Sequence, residues 1–276
     1  MPELPEVETT RRLLEQALVR KRIVSAEVRR PRMVRRHENP GDFVARVTGR
    51  TILALRRHGK FMLADLTQDI TWVTHLGMSG RVSLARTAEP EPAHTNVVVR
   101  VGGGVEMRLV DPRTFGFVAA YTRDELGASP LARLGPDAYE SLPSAEELEA
   151  RLAARTAPIK PLLLDQAVVA GLGNIYADEA LHRAGIAPDR PGGSLTLDEL
   201  RRLRRSIRTT LDAGLRWGGT SLDDLAYLLP DGRAGEFASR LLVYGREGEP
   251  CRRCGTDVKK AVMRQRGTHW CPNCQR

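Results

Sequence analysis

The sequence predicts a multidomain α+β protein with three parts: a β domain preceded by a helix, a helical domain, and a small cysteine-bearing module at the C-terminal end. Three observations carry this prediction. Apolar residues recur at helical spacing in residues 6–20, and residues 23–121 then break into short β-rich runs. From about residue 122 the period returns to that of helices, and all four cysteines lie at or beyond Cys251.

The β domain is predicted to begin with an amphipathic helix over residues 6–20. Val7, Leu14 and Leu18 fall on one stripe, and Pro5 suits the first helical turn, where a missing N–H costs nothing. Many short β-rich runs separated by turn signals then indicate a β-sandwich or a barrel. The runs are Ile23–Val28, Thr51–Leu55, Phe61–Leu66, Ile70–His75, Val82–Leu84, Asn96–Val101, Val105–Val110 and Phe117–Tyr121.

The helical domain shows two capping boxes. Ser144 with Glu147 predicts the start of a helix that runs to about Ala154, and Thr196 with Glu199 predicts the start of a second helix. Apolar residues follow the second box at helical spacing, at Leu197, Leu200, Leu203, Ile207 and Leu211.

The C-terminal module contains two Cys-x-x-Cys pairs, Cys251/Cys254 and Cys271/Cys274, with 16 residues between the pairs. This spacing is typical of a four-cysteine zinc site, which is closed and therefore structural. Two redox dithiols or a disulfide staple are the alternatives; a reducing compartment and the absence of a βαβ pattern argue against them. The ribbon between the pairs is basic, which indicates a nucleic-acid finger; the alternative, a zinc clip that only holds the C-terminus, explains the metal but not the charge. The basic residues are Lys259, Lys260, Arg264 and Arg266.

Charge indicates a polyanionic partner. The 276 residues carry 43 Lys and Arg against 34 Asp and Glu, a net charge of +9, and the pI is near 9.9. Such a balance favours nucleic acid, although a solvated basic surface would give it too. Basic residues concentrate at both ends, including residues 29–36. The apolar runs are too short to span a bilayer, and the acidic N-terminus resembles no signal or transit peptide, so we expect a cytoplasmic protein.

The N-terminus offers a candidate nucleophile. Proline directly after Met1 permits removal of the methionine, which would leave a secondary amine on Pro2. An α-amine titrates near pH 8, so part of it is neutral at pH 7 and can attack an aldehyde-like carbon such as C1′ of a DNA sugar. Glu3 lies beside it as a candidate acid or base. An inert, trimmed terminus is the alternative that this pattern alone leaves open.

Ordered motifs along the whole chain resemble the formamidopyrimidine-DNA glycosylase family, bacterial enzymes that repair 8-oxoguanine. The N-terminal Met-Pro-Glu-Leu-Pro-Glu-Val-Glu-Thr carries the resemblance first. It continues through four internal motifs and the approach to the cysteines. These are His75–Gly80, Asp111–Gly116, Ile159–Pro161, Gly171–Ala177 and Tyr244–Cys251.

The resemblance implies a bifunctional glycosylase and AP lyase with four catalytic residues. Pro2 would be the nucleophile at C1′ and Glu3 its acid/base partner. Lys60 matches a lysine assigned to proton transfer in β-elimination. Arg266 matches a finger arginine that binds phosphates and is linked to δ-elimination; as a permanently charged group it acts mainly as a clamp.

The resemblance also implies the DNA contacts. Met78, Arg113 and Phe115 match the trio that fills the gap left by an everted base, with Arg113 facing the orphaned cytosine. Thr114 stands where the family commonly has arginine. Lys160, Asn174, His94 and, by position, Arg155 match residues that contact DNA. Asn96 stands where a second histidine is often found.

The resemblance implies a helix–two-turn–helix element in the helical domain and four segments. These are a catalytic β-sandwich with its helix at 1–134, the DNA-binding helical domain at 135–229, the lesion-loop end and linker at 230–247, and the zinc finger at 248–276. We expect one structural zinc, no catalytic metal, a monomer, and double-stranded DNA with an oxidised purine or abasic site as substrate.

Three alternatives remain. An endonuclease VIII-type enzyme for oxidised pyrimidines shares the Pro-Glu start and the finger, but it usually has glycine where this chain has Leu4, and its wedge differs. A non-catalytic damage-binding protein would be expected to lack Pro2 or Glu3. A zinc-ribbon module without chemistry leaves the β domain unexplained.

Overall fold

The computed structural model of the chain describes residues 2–222 and 227–276, which fold into two compact units. The first unit combines Met1–Ala132 with Trp217–Ala238, and the second combines Arg133–Arg216 with Ser239–Arg276. The division differs from the four predicted segments at 217–229, which groups with the β domain, so those boundaries stay a prediction.

The first unit is a β-sandwich, which decides between the two architectures that the sequence allowed. Two antiparallel four-stranded sheets have the orders β1-β6-β7-β5 and β2-β3-β4-β8, and one apolar core takes side chains from both sheets and from the first helix. The elements are α1 Leu4–Leu18, β1 Ile23–Val28, α2 Pro40–Val47, β2 Ile52–His58, β3 Phe61–Leu66, β4 Ile70–His75, β5 Arg81–Arg86, β6 Thr95–Val101, β7 Val105–Val110, β8 Phe117–Thr122 and α3 Arg123–Leu126.

The strand predictions match the structure within a few residues, because each run is bounded by turn residues. The helix α2 was not predicted, although its signal was present. Asn39 caps the helix by accepting from the Asp42 backbone N–H at 3.2 Å, and Pro40 occupies its first position.

The second unit contains four helices and a two-stranded ribbon: α4 Ala145–Leu152, α5 Ile159–Leu164, α6 Asn174–Ala184, α7 Leu197–Arg216, β9 Lys259–Met263 and β10 Arg266–Trp270. Both predicted capping boxes are present. Ser144 and Thr196 accept from the N–H groups of Glu147 and Glu199 at 3.1 and 3.3 Å.

Short 3₁₀ helices lie at Pro31–Val34, Pro130–Arg133, Gly192–Ser194 and Phe237–Arg240. Among the described residues, no helix has the length and apolar character needed to cross a membrane.

Candidate active site and nucleic-acid interface

The N-terminal residues are held by the cap of α1. Glu3 is the N-cap residue, and its backbone N–H donates to Oε2 of Glu6 at 2.8 Å. Pro2 and Glu3 are both buried, Glu3 to 2% exposure. The backbone of the proposed nucleophile and its neighbour is therefore fixed by the helix.

Glu6 connects this terminus to residues 218–221. Its second oxygen, Oε1, accepts from the backbone N–H of Thr220 at 2.7 Å. Gly219 adopts a φ of +85°, and a Cβ there would lie 2.7 Å from Glu6 Oε1, so only glycine fits. In the sequence the only signal for Glu6 is its capping-box spacing from Glu3, and no role was predicted for it.

The resemblance also implies a lesion loop near Gly218–Gly235, in which Thr220 and Ser221 resemble the family motif; residues 223–226 lie outside the described residues. The two described sides of this segment are joined. Ser221 Oγ donates to the carbonyl of Tyr227 at 2.7 Å and accepts from the N–H of Gly235 at 2.8 Å. The Tyr227 hydroxyl donates to the carbonyl of Glu6 at 3.2 Å. This places the base of the predicted loop on the helix that starts beside Glu3.

Lys60 lies in the two-residue turn between β2 and β3 and is 7% exposed. Gly59 gives the turn its positive φ of 56°. Arg57 fixes the turn to α1, because its Nη1 donates to the carbonyl of Gly59 at 3.0 Å and its Nε to Glu8 at 3.2 Å. The Arg57–Glu8 pair is almost fully buried, so α1 and the lysine-bearing turn form one rigid support.

His75 ends β4 and stays neutral near pH 7. Its Nδ1 accepts from the N–H of Gly77 at 3.1 Å, and its ring stacks on Phe117 at 5.7 Å. Burial, followed by the positive charges of Lys60 and Arg35, lowers the pKa of His75 to about 4. The sequence placed His75 only inside a motif and gave it no role.

We expect this histidine to make the unfolding free energy depend on pH. Between its ordinary pKa of 6.5 and about 4, the unfolded chain binds a proton that the folded chain does not. The unfolding free energy is therefore highest above this pH window. It falls as the pH drops through the window, by an amount on the order of 1–3 kcal/mol. Denaturant unfolding of His75→Asn should show a flatter pH dependence than the parent, while His94→Asn, at an exposed site, should not. Equal slopes for the parent and His75→Asn would contradict the assignment.

The predicted wedge residues lie on two adjacent loops. Met78 is half-buried, Phe115 is 44% exposed, and the Arg113 guanidinium lies 5.6 Å from the Phe115 ring. Asp111 joins the loops. Its Oδ1 accepts from Ser79 Oγ at 2.5 Å, and its Oδ2 accepts from the N–H of Gly116 at 2.8 Å. The structure thus brings together the trio and presents it at the surface.

Two arginines hold the Phe115 loop, a role that was not predicted from the sequence. Arg35 donates to the carbonyls of Gly116 and Phe115 at 2.6 and 3.0 Å, and Arg32 donates to that of Thr114 at 3.3 Å. Part of the N-terminal basic cluster is therefore structural. Thr114 has a φ of +51°, a strained value for a β-branched residue.

The two positions at which a DNA-contacting histidine is expected, His94 and Asn96, differ in their exposure. His94 is exposed and has a φ of +63°, and its carbonyl accepts from the N–H of Asp111 at 3.1 Å. Asn96 is 4% exposed and donates to the carbonyl of Asp111 at 2.7 Å. Asn96 therefore supports the wedge loop from inside, while His94 remains the candidate for a DNA contact.

In the second unit, Lys160 joins three elements. It is 1% exposed, pairs with Asp178 of α6 at 2.7 Å, and donates to the carbonyl of Gly267 and to Thr268 Oγ1, both at 2.9 Å. The predicted contact of Lys160 with a DNA phosphate stays a prediction. Its contacts within the protein give it a role that the sequence did not indicate, which is to hold the finger ribbon on α5 and α6.

Asn174 opens α6 and shares this anchor. Its Nδ2 donates to the carbonyl of Gly267 at 2.9 Å. This side chain therefore stands at a helix N-terminus, a position that favours a phosphate.

A tight turn at Arg264 and Gln265 joins the two strands of the finger ribbon. Arg264 and Gln265 have φ values of +44° and +63°, both in the left-handed region. Arg155, Lys160, Arg264 and Arg266 line one pocket of about 530 Å³. Three of the predicted phosphate contacts are thereby brought together, and Arg264 is added to them.

The four cysteines form a metal site. Their Sγ atoms all lie within 4.8 Å of one another, and the Cys254–Cys271 and Cys251–Cys274 distances are 3.4 and 4.0 Å. A tetrahedral zinc with thiolate bonds near 2.3 Å requires sulfur separations of roughly 3.8 Å, so the residues fit one structural zinc. A disulfide would need about 2 Å. His182 Nε2 lies 3.4 Å from Cys251 Sγ and supports that ligand from outside.

We expect Cys254→Ser to lose zinc and DNA binding while the sandwich stays folded, since a closed zinc site supplies folding free energy locally. Metal analysis gives the zinc content, and hydrogen exchange of the sandwich strands, followed peptide by peptide, shows whether that unit stays folded. Chelation of the parent followed by zinc addition is the control. A zinc-free protein that nicks damaged DNA at the full rate would contradict the assignment.

The structure distributes the predicted residues over its two units. Pro2, Glu3, Lys60, Met78, His94, Arg113 and Phe115 lie in the first, and Arg155, Lys160, Asn174 and Arg266 in the second.

Three family models match the chain. Residues 1–118 match the formamidopyrimidine-DNA glycosylase N-terminal domain, residues 134–225 match the formamidopyrimidine-DNA glycosylase H2TH domain, and residues 248–276 match the zinc finger found in FPG and IleRS. Together they account for the sandwich, the helices and the ribbon.

Full-length relatives and solved structures agree with these matches. The formamidopyrimidine-DNA glycosylase of Geobacillus kaustophilus is 44% identical over 277 residues, with all of both chains covered. The MutM (Fpg) protein of Thermus thermophilus is 42% identical with a TM-score of 0.89, covering 99% of this chain and 98% of that one. The Lactococcus lactis Fpg bound to DNA with an abasic site is 34% identical with a TM-score of 0.91, and both chains are fully covered.

Proposed function

The chain belongs to the formamidopyrimidine-DNA glycosylase family, and from that premise we propose which of its residues carry the reaction. It is a DNA repair N-glycosylase with AP lyase activity, acting on DNA that carries oxidised bases or abasic sites. The observation that carries the residue assignment is the buried Pro2–Glu3 pair at the cap of α1, tied through Glu6 to residue 220.

Pro2, after removal of Met1, attacks C1′ of the damaged nucleotide. The proline nitrogen forms a bond to C1′, the glycosidic bond breaks, and its electrons leave with the base, which takes up a proton from Glu3. The C1′–O4′ bond then breaks, the proton of the proline nitrogen passes to O4′, and an iminium remains on the proline. In β-elimination a proton leaves C2′ and the bond between C3′ and its phosphate oxygen breaks, with Lys60 serving the proton transfer. In δ-elimination a proton leaves C4′ and the bond between C5′ and its phosphate oxygen breaks, with Arg266 holding the phosphate that leaves.

Met78, Arg113 and Phe115 fill the space of the everted base. A base must leave the stack before its sugar can react, and apolar wedges stabilise the resulting kink. The exposed Phe115 ring and the Arg113 beside it suit this role, since they stand on a loop fixed by Asp111.

Arg155, Asn174, Arg266 and the Lys160 that anchors the finger form the phosphate clamp, and His94 adds a contact from the sandwich. We place the enzyme in the cytoplasm with the nucleoid, where its substrate lies, and as a monomer.

Borohydride trapping tests the proposal. A duplex with 8-oxoguanine opposite cytosine should give a covalent adduct more readily than duplexes with an oxidised pyrimidine, because the Met78/Arg113/Phe115 wedge matches the purine enzyme. A preference for the pyrimidine lesion would favour the endonuclease VIII-type activity. Binding to both without any adduct would indicate a non-catalytic damage-binding protein.

A further inference from the structure

A second basic pocket lies in the helical unit, at the C-terminal end of α6. It has a volume of about 560 Å³ and is lined by five arginines and no carboxylate. These arginines are Arg183, Arg202, Arg205, Arg252 and Arg253. They come from three places in the chain: the end of α6, the middle of α7, and the turn between the first two zinc-binding cysteines.

The charge of this pocket is only partly compensated within the protein, where the buried Glu179 interacts electrostatically with Arg183. Arg202 lies 3.9 Å from Glu199, but that carboxylate is already paired with Arg190. Arg252 donates to a backbone carbonyl, that of Ser239, at 3.2 Å, which satisfies a donor without neutralising the charge. Among the residues that the structure describes, Arg205 has no ion-pair partner. Gathering like charges in this way destabilises a compact fold unless an anion binds there.

Two buried polar atoms of the lining residues are left without a partner. His182 is 2% exposed, and its Nδ1 has no hydrogen-bond partner among the described residues, nor does the buried Nε of Arg183. Buried polar atoms are nearly always paired in folded proteins, so each such atom calls for an explanation. Both atoms are closed to solvent, so a ligand would contact the exposed arginines of the pocket and not these two atoms.

This pocket is separate from the phosphate clamp. Asn174 stands at the first residue of α6 and Arg183 nine positions later, which places them about 13 Å apart along the helix. The two pockets share no lining residue. The arginines of this pocket are therefore not among the residues that line the clamp pocket.

The chemistry of the lining favours a phosphate backbone over an acidic peptide. Leu242 is the one aliphatic side chain among the lining residues, whereas peptide interfaces depend on apolar anchors. Ser206 and Thr209 add hydroxyls between the arginines. Arginine forks with hydroxyl groups are the usual partners of nucleic-acid phosphates.

We propose that this pocket binds the phosphate backbone of a second nucleic-acid segment while the clamp holds the first. The enzyme would then pass directly from one DNA segment to another without a free intermediate. Because binding at both sites is electrostatic, such transfer does not need a specific sequence.

Stopped-flow release of a labelled duplex tests this. The parent is loaded with a labelled duplex carrying a tetrahydrofuran abasic analogue, and unlabelled undamaged duplex is added at rising concentration. Direct transfer predicts a release rate that rises linearly with the added duplex. We expect the double variant Arg202→Glu/Arg205→Glu to lower that slope at least about fivefold, while trapping on 8-oxoguanine DNA is unchanged.

The matched control is Arg201→Glu/Arg208→Glu, which makes the same charge change at two exposed positions of α7 outside the pocket. Its slope should stay within about twofold of the parent, and thermal unfolding should show that both variants fold. A release rate independent of the added duplex, or equal slopes in both double variants, would overturn the proposal.

The source of the anion is tested with two small competitors. Pyrophosphate, which carries two linked phosphates, should reduce transfer in the parent and have little effect on the residual transfer of Arg202→Glu/Arg205→Glu. A polyglutamate peptide of equal charge should be the weaker competitor. If polyglutamate is the stronger of the two, the pocket takes an acidic protein segment and the assignment to nucleic acid is wrong.

Discussion

A chain with an additional residue in front of Pro2 should give no covalent adduct with damaged DNA on borohydride reduction. In that chain the proline nitrogen is part of an amide and has no basic lone pair, so it cannot form the iminium. The yield of covalent adduct should fall below detection. The processed enzyme should instead give an adduct that peptide mapping assigns to the N-terminal Pro2. Pro2→Gly should retain weak trapping, since a primary amine remains.

Two controls are needed to interpret the loss of the adduct. Pro2 is buried, so the extended chain must be shown to fold by thermal unfolding and to bind a duplex carrying an abasic analogue. Lys60→Ala should still form the adduct with a pre-formed abasic site, because its proposed role follows the attack. An adduct that maps to Lys60 in the parent would reassign the nucleophile.

Most of the fold could be predicted because its signals are local. Four strands match to the residue, among them Phe61–Leu66 and Ile70–His75, since alternating apolar residues and flanking turns are properties of neighbouring residues. Which strands share a sheet is decided by contacts far apart in sequence, so the choice between sandwich and barrel needed the structure. The helix α2 was overlooked although four of its eight residues are apolar, because it is short and follows a loop.

The candidate site could also be predicted only in part. Resemblance located residues such as Pro2, Lys60 and Arg266, which bear the chemistry on recognisable motifs. The supports were not visible, because Glu6, Asp111 and Arg35 act through contacts with backbone groups 5 to 214 residues away. Lys160 is the clearest case: its burial against Asp178 depends on three elements meeting, which no pattern in one of them reveals.

Glu3→Gln should cut excision of 8-oxoguanine by about 10²–10⁴-fold, the range that general acid/base groups contribute. The amide keeps the shape of the side chain but cannot exchange a proton at neutral pH. The backbone should hardly move, because the N–H of Glu3 is bound by Glu6 and does not depend on the Glu3 carboxylate. Cleavage of a pre-formed abasic site should survive better, since no base has to leave.

Single-turnover rates on the two substrates measure this difference. Glu15→Gln makes the same change on an exposed side chain of α1, where a pair with Arg11 contributes little, and it should leave both rates near those of the parent. The ratio of the two rates is the deciding quantity. If Glu3→Gln lowers both rates equally, its carboxylate acts at a step common to both substrates, such as opening of the sugar. If it lowers neither, Glu3 serves only as the helix cap, and the proton donor must be sought among the other buried groups around the terminus, of which Glu6 is the first candidate because its carboxylate already contacts the Glu3 backbone.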